Sequence, residues 1–315
     1  MDKTFFIVNP VGGKGKVSEL WPGVKEKLHR AGLAFEFAET LKPMHAAKLA
    51  EEAVASGFRQ MVAVGGDGTL NELVNGLMRQ TVCTPDEVGV SILPFGTGND
   101  WVRTQHIPTK TDAWIEKFLS AKEARTQDVG IAAYSDETGT RHQRYFVNVA
   151  GMAYDAFVVR EIETEGKKSA NSLLYLLMLF RLLRDYTPHL HRLELTLPGE
   201  AEKRRIEKEI HTLNVGICRY SGGGMQLVPH ADPDDGLLAL TLMEKLSKCE
   251  IILRLRDLYT GKLIQHRKAI AEQVSSLKVE SGAHRPLLLE VDGEFVASCT
   301  DVFFSVSDSK LKLLI

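Results

Sequence analysis

Asp67 stands among glycines in "VGGDGTLNE", after the apolar run Met61–Val64 and before Leu70, Leu73, Val74 and Leu77, which recur at helical spacing. A strand, a glycine turn and a helix start, in that order, make a seat for phosphate. Backbone N–H groups point outward there, and absent Cβ atoms let a ligand approach the chain. A carboxylate repels phosphate unless a cation stands between them. Asp67 therefore reads either as a handle for Mg2+ bridging to phosphate oxygens or as an ordinary turn aspartate. Thr69 and Asn71 could hydrogen-bond phosphate or sugar. "LPFGTGNDW", Leu93–Trp101, repeats the design: Gly96 and Gly98 loosen the turn, Thr97 offers a hydroxyl, and Asp100 is a second acid or a helix cap. "NPVGGKGKV", Asn9–Val17, lacks the Walker spacing and the dinucleotide G-x-G-x-x-G. It keeps glycines with Lys14 and Lys16, which suit a polyphosphate or simply make a flexible turn with solvated lysines. Thr40, just past the second strand, is a nucleotide contact or a helix-start residue.

Two further stretches carry carboxylates. In "LLLEVDGEFVAS", Asp-Gly between alternating apolar residues signals a hairpin, yet Asp292 or Glu294 could also take a proton from an acceptor hydroxyl. "PHADPDDG" places Asp232, Asp234 and Asp235 in a turn that suits a hard cation or is merely solvated. His142, His189 and His266 have no partners at metal spacing and read as structural or surface residues.

The elements that must position these groups fall into two rhythms. Up to about Ala133, strands at Thr4–Val8, Ala34–Ala38, Met61–Val64 and Val88–Leu93 alternate with helices at about Ser18–Ala31 and His45–Ala55. That order predicts a mostly parallel sheet covered on both faces, a three-layer αβα domain. Beyond it, strands are expected at Tyr145–Ala150, Arg192–Leu197, Glu209–Gly216, Leu237–Leu242, Val274–Val279 and Leu287–Val291. Helices at Ser172–Asp185 and about Ser247–Tyr259 intervene. A β-rich, antiparallel, sandwich-like second domain over 134–301 follows, with the active site expected in the cleft between domains. Three glycine loops at strand carboxyl ends would converge on one crevice, so the first domain, 1–133, is expected to bind a nucleotide with a divalent metal.

The chain has 315 residues, 44% hydrophobic and 25% charged, with a formal net charge of −2. Its length predicts two domains, and its charge gives no global reason to expect nucleic acid. The dispersed Cys83, Cys218, Cys249 and Cys299 fit a reducing compartment, and no secretory signal opens the chain. "SLLYLLMLFRLLRD", Ser172–Asp185, falls short of the roughly 20 apolar residues of a spanning helix. It reads as a core helix or one resting on a membrane.

With "NPVGGK", "GGDGTLNE", "GTGND" and "VDGE" in this order, the chain resembles the diacylglycerol kinase catalytic-domain family, which includes bacterial soluble lipid kinases and sphingosine kinases. The resemblance implies an ATP- and Mg2+-dependent lipid kinase, cytoplasmic and in transient contact with a membrane surface that holds its lipid substrate. Homodimerisation is left open, and phospholipid biosynthesis is the implied setting. Carried over by position, it implies ATP contacts at Asn9, Pro10, Val11, Gly12, Gly13, Lys14, Thr40, Gly66, Asp67, Gly68, Thr69, Leu70, Asn71, Glu72 and Thr97. Asp67 and Asp100 match the family's essential acids, and Asp128 of "QDVG" a supporting one. Glu294, with Asp292 close behind, matches the proton acceptor. Asp232, Asp235 and Leu237 match a structural Mg2+ loop. The closing strands, about 302–315, are expected to return to the first domain. Because "GGDGT" alone also occurs in NAD kinases and phosphofructokinases, a kinase of a soluble substrate is one alternative. A nucleotide-binding regulatory module without turnover is another.

Overall fold

The computed structural model describes residues 3–120, 125–165, 172–200, 202–282 and 285–315, with the side chains of 172–176 outside the description. The chain divides into two compact units, Met1–Asp128 with Asp308–Ile315, and Val129–Ser307.

The first unit runs β1 (Thr4–Val8), α1 (Lys16–Arg30), β2 (Phe35–Glu39), α2 (His45–Ala55), β3 (Gln60–Gly65), α3 (Asp67–Arg79), β4 (Gly89–Pro94), α4 (Asp100–Thr104), α5 (Thr111–Ser120) and β5 (Arg125–Gln127). Its sheet has the order β2-β1-β3-β4, then the closing strand Leu311–Leu313, then β5. All pairings are parallel except that of β5 with the closing strand. β4 is buried along its whole length, as a central strand with helices on both faces must be. α1 buries Val17, Trp21, Val24 and Leu28, one helical face, and Trp21 meets Phe6 of β1 with ring centroids 5.7 Å apart. α2 and α3 pack so closely that a Cβ on Gly76 would lie 2.1 Å from the Ala47 carbonyl oxygen. Because β1, β3 and β4 are parallel, the loops that leave them emerge at one edge of the sheet.

The second unit runs β6 (Gly130–Asp136), β7 (Arg141–Phe146), β8 (Val149–Ala153), α6 (Tyr154–Thr164), α7 (Ser172–Leu182), β9 (His189–Thr196), β10 (Arg204–Gly216), β11 (Leu238–Glu244), α8 (Lys248–Leu253), α9 (Leu255–Thr260), β12 (Ala269–Val274), β13 (Ser276–Ser281), β14 (Leu287–Val291) and β15 (Glu294–Val306). Its antiparallel sheet has the order β12-β11-β10-β8-β14-β15-β13-β9. β9 pairs again with β10, so the strands from β10 round to β9 close on themselves.

Several elements differ from expectation. The division falls at 128/129 rather than 133/134, because 130–136 forms β6 and pairs with β15. Residues 302–306 stay in the second unit as the end of β15, and only Asp308–Ile315, with the strand Leu311–Leu313, returns to the first. The expected strand Tyr145–Ala150 is cut at Val147–Asn148, and Val274–Val279 is cut at Ser275. The helix expected over 247–259 breaks at Arg254. In α7, Met178 and Leu182 are buried with Leu183 against Tyr154, Val158 and Ile162 of α6, as in a core helix, while Leu177 is 56% exposed. Among the described residues no helix is long and apolar enough to cross a membrane.

Candidate active site

Three loops meet at the carboxyl edge of the first unit's sheet. A Cβ on Gly13, whose φ is +57°, would lie 2.3 Å from the Phe95 carbonyl oxygen, so the first loop closes directly on the end of β4. A Cβ on Gly66 would lie 3.1 Å from Gly96 Cα, so the second and third loops touch backbone to backbone. Only glycine permits this approach. Asn9 Nδ2 donates to Thr69 Oγ1 at 3.1 Å, and the Asn9 N–H reaches Val64 O at 2.9 Å, tying the first loop to the second. Around the convergence Lys14 and Thr97 are exposed, and α1 and α3 begin there. Pro10 O accepts from Ser18 Oγ at 2.8 Å, and Val11 is 76% exposed.

Asp67 and Asp100 come together around Gly98. A Cβ there would lie 3.3 Å from Asp100 Oδ2 and 3.4 Å from Asp67 Oδ2, so two carboxylate oxygens flank a space that a side chain would fill. Such a pair of hard donors fits Mg2+. Among the described residues no group of three or more His, Cys, Asp or Glu side chains could hold a metal, so water and phosphate oxygens would complete the shell. The Asp67 carboxylate also accepts from the N–H groups of Asp100 at 3.2 Å and Trp101 at 3.3 Å, capping α4 from outside. Asp100 is buried, with Arg103 at 3.7 Å.

Other residues of the expected nucleotide set hold the loops instead of facing outward. Leu70 is core, and Asn71 is fully buried and accepts from Asn75 Nδ2 at 3.1 Å. Asn71 is therefore not placed to touch sugar or phosphate. Thr69 is 5% exposed beneath Asn9. Glu72 accepts from the Ala46 N–H at 3.0 Å, capping the start of α2. Thr40 follows β2 with its N–H on Val8 O at 2.8 Å; α2 begins only at His45, so Thr40 is not a helix-start residue. Asp128 is buried and ion-paired with Lys310 at 3.0 Å, where it fastens the returning chain end.

In the second unit, Asp292 and Gly293 form the two-residue turn between β14 and β15, both with positive φ (49° and 83°). The Asp292 carboxylate accepts from three consecutive N–H groups, Val147 at 3.0 Å, Asn148 at 2.9 Å and Val149 at 3.0 Å. The break between β7 and β8 exists to present them. From the other side, Glu290 accepts from the Gly293 N–H at 2.8 Å. Glu294, the next residue, has a partly exposed side chain and pairs with Arg144 Nη2 at 2.9 Å. Glu290 is buried with the half-buried Asp155 close by, and Asn214 Nδ2 donates to Asp155 at 3.1 Å. Burial pushes the Asp155 carboxyl up to about 7 and raises Glu290 well above the usual carboxylate range. Asp155 also lines an apolar cavity of about 80 Å³ walled by Leu183, Met225, Met243, Ile251 and Leu258. Arg144, Glu290, Asp155 and this cavity were not anticipated, since each depends on pairings between strands far apart in sequence.

The acidic turn at 232–237 satisfies itself. Asp232 accepts from the Asp234 N–H at 3.3 Å, and Asp235 accepts from the Leu237 N–H at 2.9 Å and from Gln273 Nε2 at 3.1 Å. Both acids are exposed, and a cation there would depend on backbone carbonyls and water.

Comparison with known proteins adds to this geometry. Residues 3–132 match the family model described as the diacylglycerol kinase catalytic domain. Residues 148–315 match the YegS C-terminal NAD kinase beta sandwich-like domain. A diacylglycerol kinase of Staphylococcus haemolyticus (strain JCSC1435) is 29% identical over 92% of this chain and 81% of its own. One from Staphylococcus carnosus (strain TM300) is 26% identical over 92% of this chain and 87% of its own. The crystal structure of a diacylglycerol kinase from Bacillus anthracis str. Sterne superposes with a TM-score of 0.69 at 19% identity, covering 99% of this chain and 96% of that one, a likeness of fold.

Proposed function

The chain belongs to the diacylglycerol kinase catalytic-domain family, and on that premise we propose that it transfers phosphate from ATP to a lipid hydroxyl, with Mg2+ as cofactor. The observation that carries this reading is the backbone-level convergence of three glycine loops beside the paired oxygens of Asp67 and Asp100. Loop and helix-start N–H groups would hold the phosphates, with Lys14 as a mobile point charge and Thr97 as a hydroxyl donor. Mg2+ beside Asp67 and Asp100 would neutralise charge on the β- and γ-phosphates.

Glu294 is the better proton acceptor of the two hairpin acids. Asp292 spends its carboxylate on three N–H groups, which hold it anionic and fixed. Glu294 is partly open and oriented by Arg144. It takes the acceptor hydroxyl's proton as that oxygen bonds to the γ-phosphorus and the bond to ADP breaks. Catalysis is then largely positional and electrostatic.

The apolar cavity favours a lipid over NAD or a sugar phosphate, and the names of the relatives favour diacylglycerol. Peripheral membrane contact accords with such an acceptor. Ile252 and Leu253 of α8, 52% and 81% exposed, and Leu177 of α7 sit on helices that line the cavity. With radiolabelled ATP, Mg2+ and mixed lipids, label enters the organic phase. Asp67→Asn, which keeps hydrogen-bond acceptance but loses charge, lowers that transfer at least ~100-fold with little change in unfolding. Normal transfer by this variant would defeat the assignment of Asp67. Labelled NAD in place of lipid would defeat the substrate class.

A further inference from the structure

β10 changes partner at His211. Residues through Ile210 pair with β9, and those from Thr212 pair with β8. The register against β11 slips at the same point: Ile210 faces Glu244 and Thr212 faces Met243, so His211 is the extra residue of a bulge. A bulge re-aims a side chain. Here it turns an imidazole into the wall of the apolar cavity, beside Met225, Met243 and Leu183.

The ring is 5% exposed, stacked on Tyr154 with centroids 5.0 Å apart and edge-on to Tyr186 at 5.7 Å. Neither ring nitrogen has a hydrogen-bond partner among the described residues, and neither does the buried Tyr186 hydroxyl. Burial pushes the imidazole down to about 4, so at neutral pH it carries one N–H donor and one bare acceptor. Leaving both unused inside an apolar wall is costly, and a phenylalanine would fill the same space without that cost. Asp155, Thr212 and Arg254 share the lining, but the His211 nitrogens are buried and without a partner among the described residues, so the cavity suits a largely apolar ligand with a polar atom at His211.

The position of that point follows from the strands. Asp292 N–H meets Val149 O, and Thr212 pairs with Ala153 further along β8, so His211 lies on the order of 13 Å from the acidic turn at ~3.3 Å per residue. A glycerol ester carbonyl, only a few atoms from the free hydroxyl, does not span that distance. Taking the lipid-kinase reading as its basis, we infer that the cavity accepts the short segment of an acyl chain that bears a neutral oxygen, hydroxyl or keto, well along its length, and that His211 selects it.

Equilibrium binding in mixed micelles tests this with monoolein and monoricinolein, the near-identical glyceride bearing a mid-chain hydroxyl. The wild-type protein binds monoricinolein about tenfold more tightly, the worth of one good hydrogen bond to a buried group. His211→Phe removes the preference, and His211→Gln, which restores a donor and an acceptor, keeps much of it. Equal affinity of the wild type for the two lipids, no binding of either, or a preference that survives in His211→Phe would overturn the assignment. Should the phenylalanine variant not fold, the wild-type comparison decides alone. A binding preference without phosphorylation of either glyceride would count against the kinase reading and leave this site standing.

Discussion

Both units set an Asp-Gly pair at a sheet edge, and in both the aspartate carboxylate is gripped by backbone N–H groups from another segment. Asp67 takes two, at 3.2 and 3.3 Å, from the start of α4. Asp292 takes three, at 2.9 to 3.0 Å, from the break between β7 and β8. Their neighbours differ more than their grips do. Beside Asp67 lies a second acid, Asp100, across the gap at Gly98, with Arg103 at 3.7 Å from Asp100. Beside Asp292 lies Glu294, already matched to Arg144. The same dipeptide thus sits beside a second acid in one unit and beside an ion-paired glutamate in the other, and on the proposed function only the first would handle a cation.

The largest effect that would sharpen this contrast is on turnover. Glu294→Gln is expected to slow phosphoryl transfer by ~100- to 10,000-fold, the usual worth of a positioned base. The unfolding temperature should barely move, because a part-exposed ion pair contributes at most about 1 kcal/mol. A variant with near-normal kcat would return the base to Asp292 and erase the distinction between the two acids. Next comes Asp292→Ala, which strands three N–H groups of a buried segment. Urea unfolding should show a loss of about 3–5 kcal/mol. A loss below about 1 kcal/mol would mean the grip on Asp292 is dispensable, and the two aspartates would then be architecturally alike.

The first unit was the more legible of the two in sequence. Parallel strands covered on both faces are continuous apolar runs, and the glycines that end them are demanded by backbone contacts such as Gly66 on Gly96. The second unit hid its longest strands. β10 opens "RRIEKE" and β15 opens "EFVASCTD", each half exposed, so only the buried ends carry a periodic signal. Helix α6 follows β8 directly, through Ala153 at φ 63°, without a capping side chain to announce it. Among site residues, the glycine loops and the hairpin were visible as local patterns. Arg144, Glu290 and His211 were not, because their roles come from strand pairing and a bulge. Glu72 and Asn71 matched a motif whose inner face is structural, a distinction only packing reveals.

The subtlest contrast concerns how each unit tolerates buried charge. In the first, Asp100 and Asp128 lie next to Arg103 and Lys310. In the second, Asp155 and Glu290 meet the Asn214 amide and the N–H of Gly293, all neutral donors. Asp155 is raised from 3.8 to about 7, with Glu290 and Tyr186 as charged or titratable neighbours. Its folded form therefore holds a proton that the unfolded chain has lost, and stability falls as pH rises from about 4 to about 7. His211 has the opposite sign: lowered from 6.5 to about 4, it stays neutral when folded while the unfolded chain is protonated, so stability rises with pH across that window. His191, also lowered to about 4, adds to the rise. The two trends oppose each other below pH 6.5 and only the acids act above it. Between pH 5 and 6.5 the urea midpoint should therefore tilt toward a fall in His211→Phe and toward a rise in Asp155→Asn, relative to the wild type. Identical slopes in all three proteins would show that the second unit compensates its buried acids as the first does.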